Sequence, residues 1–137
     1  MKNLKQYYKE FGKMVYAVAI ADGVITPDEK EILHESVLKN MVRYEKEEDT
    51  SNMNLPFYTE FEFDESMHTH LDTKAAIKSY AKFIHQNYET GDEKLIQHSV
   101  EILEQVAATY CGIKEKEVVN EIKGEINEIS KTIIKTN

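Results

Sequence analysis

Three carboxylates lie close together in Ala21-Asp22-Gly23-Val24-Ile25-Thr26-Pro27-Asp28-Glu29. Hard divalent cations are held by several carboxylate oxygens converging on one point, so Asp22, Asp28 and Glu29 are the candidate metal ligands. An ordinary EF-hand does not fit. Setting Asp22 at the fifth loop position puts Val18 and Ile20 where the first and third ligands should be, and neither can coordinate Ca²⁺. The same residues also have a structural use. Asp28 and Glu29 would place negative charge at the positive end of a helix that starts here.

Other groups with chemical potential carry weaker patterns. His34, His68, His70, His85 and His98 match no zinc spacing, and His68 and His70 do not share a helical face. They read as surface or partly buried histidines. Cys111 falls at the predicted C-terminal end of a helix, where the dipole disfavours a thiolate, so it reads as an inert buried thiol. Glu35 with His34, or Asp64 with Glu65, could be drawn as acid–base pairs. Acidic residues are too abundant here for that pairing to mean anything. Neither a Gly-rich phosphate loop nor a nucleophile elbow is present. No catalytic residue is assigned.

The carboxylates are positioned by a corner between two helices. Gly23 can take the left-handed conformation that closes a helix. Thr26 offers a side-chain oxygen to cap the next one, and Pro27 suits its first position, where a missing N–H costs nothing. Glu29, three residues after Thr26, completes the pattern of a capping box.

Helical periodicity runs through most of the chain. Residues 2–22 carry Leu4, Tyr7, Tyr8, Phe11, Met14, Val15, Val18 and Ala19 at steps of three and four. From Val15 onward the apolar set spreads round the helix, which predicts burial on more than one face. A second helix is expected from Pro27 to about Glu48, with Ile32, Leu33, Val37, Leu38, Met41 and Val42 inward. Residues 53–71 have no clear period and predict a loop with one helical turn, Phe57, Phe61 and Phe63 plugging the edge of the core, with an exposed aromatic docking patch as the lesser alternative. Asp72 should cap a helix from Thr73 to about Tyr88. Gly91 and Asp92 stop it and start another that ends at Gly112. The last helix carries Val119, Ile122, Ile126, Ile129 and Ile133 in a coiled-coil-like seam. That seam packs inside the domain or, over residues 118–134, against a second copy. Gly124 weakens this helix and would mark any bend.

An echo of the first corner occurs at Ala108-Thr109-Tyr110-Cys111-Gly112-Ile113, followed by Glu117. Each is a helix end, a Gly, an Ile, then a Glu four residues on. Two such units suggest a duplicated helical domain. The expected fold is all-α, one domain over 1–137, with two helix–turn–helix repeats around a central pair of long helices.

At Ala21-Asp22-Gly23-Val24-Ile25-Thr26-Pro27-Asp28-Glu29, with Glu31-Ile32 following, the chain resembles the TerB-like family. That family includes tellurite-resistance TerB proteins and the N-terminal domain of DjlA-type co-chaperones. The resemblance is sharp over about fifteen residues and architectural elsewhere. It implies a multihelical fold of two repeats, a stress-associated role of the tellurite-resistance type in protein complexes, and divalent-cation binding through acidic residues. The family's second Asp-Gly is replaced here by Cys111-Gly112, and no His-Pro-Asp tripeptide of a J-domain is present.

Charge and composition narrow the partner class. A net charge of −8 and a pI near 5.1 argue against nucleic acid and against an anionic membrane surface. No apolar run approaches the roughly 20 residues of a membrane span, and the N-terminus lacks the apolar stretch of a signal peptide. One cysteine excludes an internal disulfide. The expectation is a cytoplasmic, non-enzymatic interaction module with a protein partner. The alternatives are a small enzyme with a pocket under the Phe57–Phe63 segment, or a structural homodimer.

Overall fold

A computed structural model describes residues 1–21, 23–47, 54–110 and 113–136, without the side chains of 110 and 130–136. Six helices are described: α1 (Leu4–Ala19), α2 (Pro27–Glu47), α3 (Phe57–Thr69), α4 (Thr73–Asn87), α5 (Glu93–Tyr110) and α6 (Ile113–Thr136). The fold is all-α.

The helix the others share is α1. It packs against α3, α4, α5 and α6, and everything from Met14 to Ala19 is buried. Its apolar residues go nearly all the way round, so it can be covered on several sides at once. The longer α2 and α6 lie outside it. Both the wide apolar distribution and the alanines near its end were visible in the sequence.

At the first corner Gly23 and Thr26 do what their residue types predict. The α1 helix ends at Ala19, slightly before the expected boundary, and the Gly23 N–H donates to the Ile20 carbonyl at 2.7 Å. Gly23 has φ +93°. The Glu29 N–H donates to the Thr26 hydroxyl at 3.2 Å, which caps α2. Replacing Thr26 by alanine is expected to cost about 1 kcal/mol, read as a small fall in thermal midpoint with no loss of helix content at low temperature. A drop several times larger would mean the hydroxyl holds more than the cap.

Beyond the corner α2 turns back antiparallel to α1 but stands off from it, contacting α3 and α5 instead. Leu33, Val37 and Met41 reach inward as one stripe. At the far end the Tyr8 hydroxyl donates to the buried Glu45 carboxylate and spans the gap. Ile32, expected inward, points out instead, and its position is described below.

The segment 57–69 is a 13-residue helix, not a loop with one turn. Its buried positions are Thr59, Phe63 and Ser66, a helical spacing occupied mostly by polar residues. Small side chains are needed because α3 lies against α1 at Gly12. A β-carbon built there would sit 2.4 Å from the Thr59 carbonyl oxygen and 3.0 Å from Glu62 Cβ. The Thr59 hydroxyl donates to the Tyr8 carbonyl at 3.1 Å, which satisfies it in the interface. Of the three phenylalanines only Phe63 enters the core. Phe57 and Phe61 are 44% and 68% exposed, so they do not plug its edge.

The remaining elements follow the sequence more closely. Asp72 caps α4 by accepting the Ala75 N–H at 3.0 Å. Gly91 takes a left-handed conformation, φ +101°. Asp92 precedes α5, but its carboxylate accepts the Glu89 N–H at 2.8 Å and so closes the turn behind it. In α6, Val119, Ile122 and Ile129 are buried and Ile126 is partly so, against α1, α4 and α5 of the same chain. That stretch of the seam is therefore occupied internally. Ile133, Cys111 and Gly112 lie outside the described residues or side chains.

A polar chain runs through the core. Ser99 gives its proton to the Leu95 carbonyl at 2.8 Å, so Tyr7 must donate to Ser99 at 2.5 Å, and Tyr80 in turn to Tyr7 at 3.1 Å. These bonds pin α1, α4 and α5 to one another.

Candidate interaction surface

The acidic corner is described only in part. Asp28 is exposed and Glu29 half-buried, both in the first turn of α2. Asp22 lies outside the described residues, so the expected set of three carboxylates is not assembled by what is described. Among the described residues no group of three His, Cys, Asp or Glu side chains is placed to hold a metal ion.

The histidines are distributed as surface or partly buried groups. His68, His70 and His85 are exposed. His98 stacks on Tyr44 with ring centres 4.7 Å apart, joining α5 to α2. His34 sits edge-on to Phe63 at 4.6 Å. Its Nδ1 lies 3.3 Å from Glu60 and its Nε2 3.6 Å from Asp64, while Lys30 reaches Asp64 at 3.0 Å. The Lys30–Asp64 ion pair and the packing of His34 on Phe63 tie α2 to α3. The void beside it, against Val15, Leu33 and Phe63, is only about 10 Å³. A substrate pocket takes hundreds of cubic ångströms, so no pocket lies beneath Phe63 at this place.

A groove of about 310 Å³ lies between the N-terminal half of α2 and the C-terminal half of α5. Leu33, Ile102 and Val106, all core residues, form its floor. Ile32 stands on the α2 wall, 61% exposed. Glu29, Ser36, Gln105 and Thr109 supply the polar positions, and Glu29 is the one charged residue among them. Val24, three residues before α2, and Ile113, the first residue of α6, are also exposed aliphatics. A second hollow, about 440 Å³, runs between α5 and α6 along Glu93, Glu101 and Glu104, with Lys123 paired to Glu104 at 3.4 Å.

The opposite side of α2 faces α3, whose outward ridge bears Phe57 and Phe61. Tyr58 extends that ridge, with its ring 6.2 Å from that of Phe61. Lys5 and Lys9 of α1 lie over the Tyr58 ring at 4.7 and 5.7 Å. Sequence reasoning missed the groove, and it held an exposed aromatic patch here only as the lesser alternative to a core plug. The only signal was Phe57 and Phe61 at a spacing of four, obscured by Phe63.

Fold and surface define a small all-α domain with an apolar groove on one side and an aromatic ridge on another. No helix among the described residues is long and apolar enough to cross a membrane. No family model, curated protein or solved structure matches the chain.

Proposed function

We propose that the chain is a non-enzymatic interaction module of the TerB-like kind, acting in the cytoplasm in a stress response of the tellurite-resistance type, and that it holds a protein partner in the α2–α5 groove. The observation that carries this reading is the groove itself. Its floor is core, its wall exposes Ile32, and its lining includes Glu29 from the stretch that carries the TerB-like resemblance. A concave site with an apolar floor and a few polar groups along its walls is the usual form of a binding cleft. The enzyme alternative asked for a cavity under the Phe57–Phe63 segment, and the space found against Phe63 is too small for a substrate.

The test is capture of partners from the native cell with wild type, Ile32→Glu, Asp28→Ala/Glu29→Ala, and Lys82→Glu as a control on exposed α4. A glutamate at the groove wall should reduce recovery of a specific partner at least about tenfold, and the α4 control should not. Identical partner sets from all four proteins would remove the groove from the function. The proposal extends to a divalent cation at Asp22, Asp28 and Glu29. Calorimetric titration with Ca²⁺, Mg²⁺ and Zn²⁺ tests it, and no heat from any of them ends that part.

A further inference from the structure

His34 of α2 stands between two carboxylates that α3 supplies. Its Nδ1 lies 3.3 Å from Glu60 Oε1, within hydrogen-bond reach. A carboxylate can only accept, so Nδ1 carries the proton. In the neutral ring that leaves Nε2 as a bare acceptor. Asp64 Oδ1, a second acceptor, is 3.6 Å from it. Both atoms are shut off from solvent and neither makes a hydrogen bond, although the Lys30 ammonium comes within 3.0 Å of Asp64. Buried acceptors left in this state cost free energy, and folded proteins usually place something between them.

We infer that a divalent transition-metal cation of the Zn²⁺ class binds between His34 Nε2 and Asp64 Oδ1 and clips α2 to α3. The inference is independent of the groove.

The spacing favours a metal over a proton. A hydrogen bond would bring nitrogen and oxygen to about 2.7–3.2 Å. Zinc bonds of about 2.0–2.1 Å to imidazole nitrogen and about 2.0–2.2 Å to carboxylate oxygen put the two ligands 3.6 Å apart at an angle of about 120°. That is close to tetrahedral. The donor types select the ion as well. Imidazole with carboxylate suits Zn²⁺ and its neighbours in the first transition row, whereas Mg²⁺ and Ca²⁺ take oxygen ligands. This separates the site from the acidic corner, whose candidate donors are all oxygen.

The surroundings are those of a ligating histidine. Glu60 holds Nδ1–H, the carboxylate–histidine arrangement that orients such a ring and raises its basicity. Phe63, buried in the core, lies edge-on to the imidazole at 4.6 Å and fixes its plane. Glu60 and Asp64 are partly exposed, so the site lies at the outer edge of the α2–α3 contact. Among the described residues no third His, Cys, Asp or Glu joins the pair. Water must complete the coordination sphere, so binding is weaker than at a closed structural site. Lys30 is the competitor for Asp64, and its partly exposed side chain can swing to solvent. The spacing of the sequence shows no motif because the two ligands come from different helices.

Titration of the whole chain with Zn²⁺ and with Co²⁺ tests this, read by calorimetry and by the visible absorption of bound Co²⁺. Binding should raise the thermal midpoint, since the cation joins two helices of the folded state. Asp64→Asn keeps the shape of the side chain and removes the ligand charge. It should weaken Zn²⁺ binding at least about tenfold, and His34→Gln should do the same. Glu60→Gln, which touches no metal, should weaken it about tenfold through the ring it orients. Lys30→Gln should tighten binding about threefold by removing the competing ammonium, a direction that a merely structural role would not produce. Asp28→Ala/Glu29→Ala should leave it unchanged.

No binding of either ion up to about 1 mM overturns the inference. So does binding that Asp64→Asn and His34→Gln leave intact, or that Lys30→Gln weakens. Heat that disappears only in Asp28→Ala/Glu29→Ala belongs to the acidic corner and overturns it too.

Discussion

Replacing Gly12 by alanine should lower the unfolding free energy by about 2 kcal/mol, although the same change in an ordinary helix raises it. Alanine gains about 1 kcal/mol over glycine in a helix interior. At Gly12 the new methyl meets a backbone carbonyl at 2.4 Å, an obstacle that cannot rotate aside as a side-chain end can. Forcing α3 away from α1 costs up to about 3 kcal/mol on the scale of overpacked cores. The clash therefore wins. Gly124→Ala is the matched control: a β-carbon there meets nothing within 4 Å, so stability should rise by up to about 1 kcal/mol. Urea unfolding followed by circular dichroism measures both. A Gly12→Ala protein as stable as wild type would mean that α3 is not seated at that position.

The second large effect is unfolding by base. Burial is the main cause that raises the hydroxyls of Tyr7, Tyr8 and Tyr80 above their ordinary value near 10, with Tyr7 pushed up to about 12. For Tyr8 the hydrogen bond to Glu45 adds to burial, and for Tyr80 the neighbouring Tyr7 does. Below pH 10 the tyrosine is protonated in both folded and unfolded chains, and the stability linked to it is fully present. Above pH 10 the unfolded chain releases these protons and the folded one does not, so stability falls with rising pH. Each such group approaches a loss of about 1.4 kcal/mol per pH unit, so three together approach about 4. Against a typical stability of about 5–15 kcal/mol, that unfolds the domain within a few pH units above 10. Ultraviolet absorbance of tyrosinate and far-ultraviolet dichroism should then change together. Gradual ionisation of all eight tyrosines with the helices intact would contradict the buried Tyr80–Tyr7–Ser99 chain.

Both predictions converge on α1. It presents Gly12 to α3, Tyr7 to α4 and α5, and Tyr8 to the far end of α2. A post buttressed on several sides leaves the outer helices free to shape a surface. The α2 helix uses that freedom: held by the Tyr8–Glu45 bond, the Tyr44–His98 stack and the His34 cluster, it stands off from α1 and leaves the groove against α5.

The amino-acid sequence alone determined the elements whose causes are local. Gly23, Thr26 and Pro27 specify the first corner because a left-handed residue, a capping oxygen and a fixed φ act within a few bonds of where they stand. Asp72 and Gly91 act the same way, and the apolar steps of α1, α4, α5 and α6 are short-range regularities. Tertiary structure alone decided where the chain comes together over long distances. The α3 helix was hidden because its buried face is Thr59, Phe63 and Ser66, a polar-looking stripe that makes sense only with Gly12 opposite. Ile32 looked like core because it sits beside Leu33 in an apolar pattern; whether α5 covers it depends on the spacing of two helices, and side chains of α1 and α3 help to set that spacing. Periodicity reports which face of a helix is apolar, whereas a groove is a gap between helices, and no single helix encodes it.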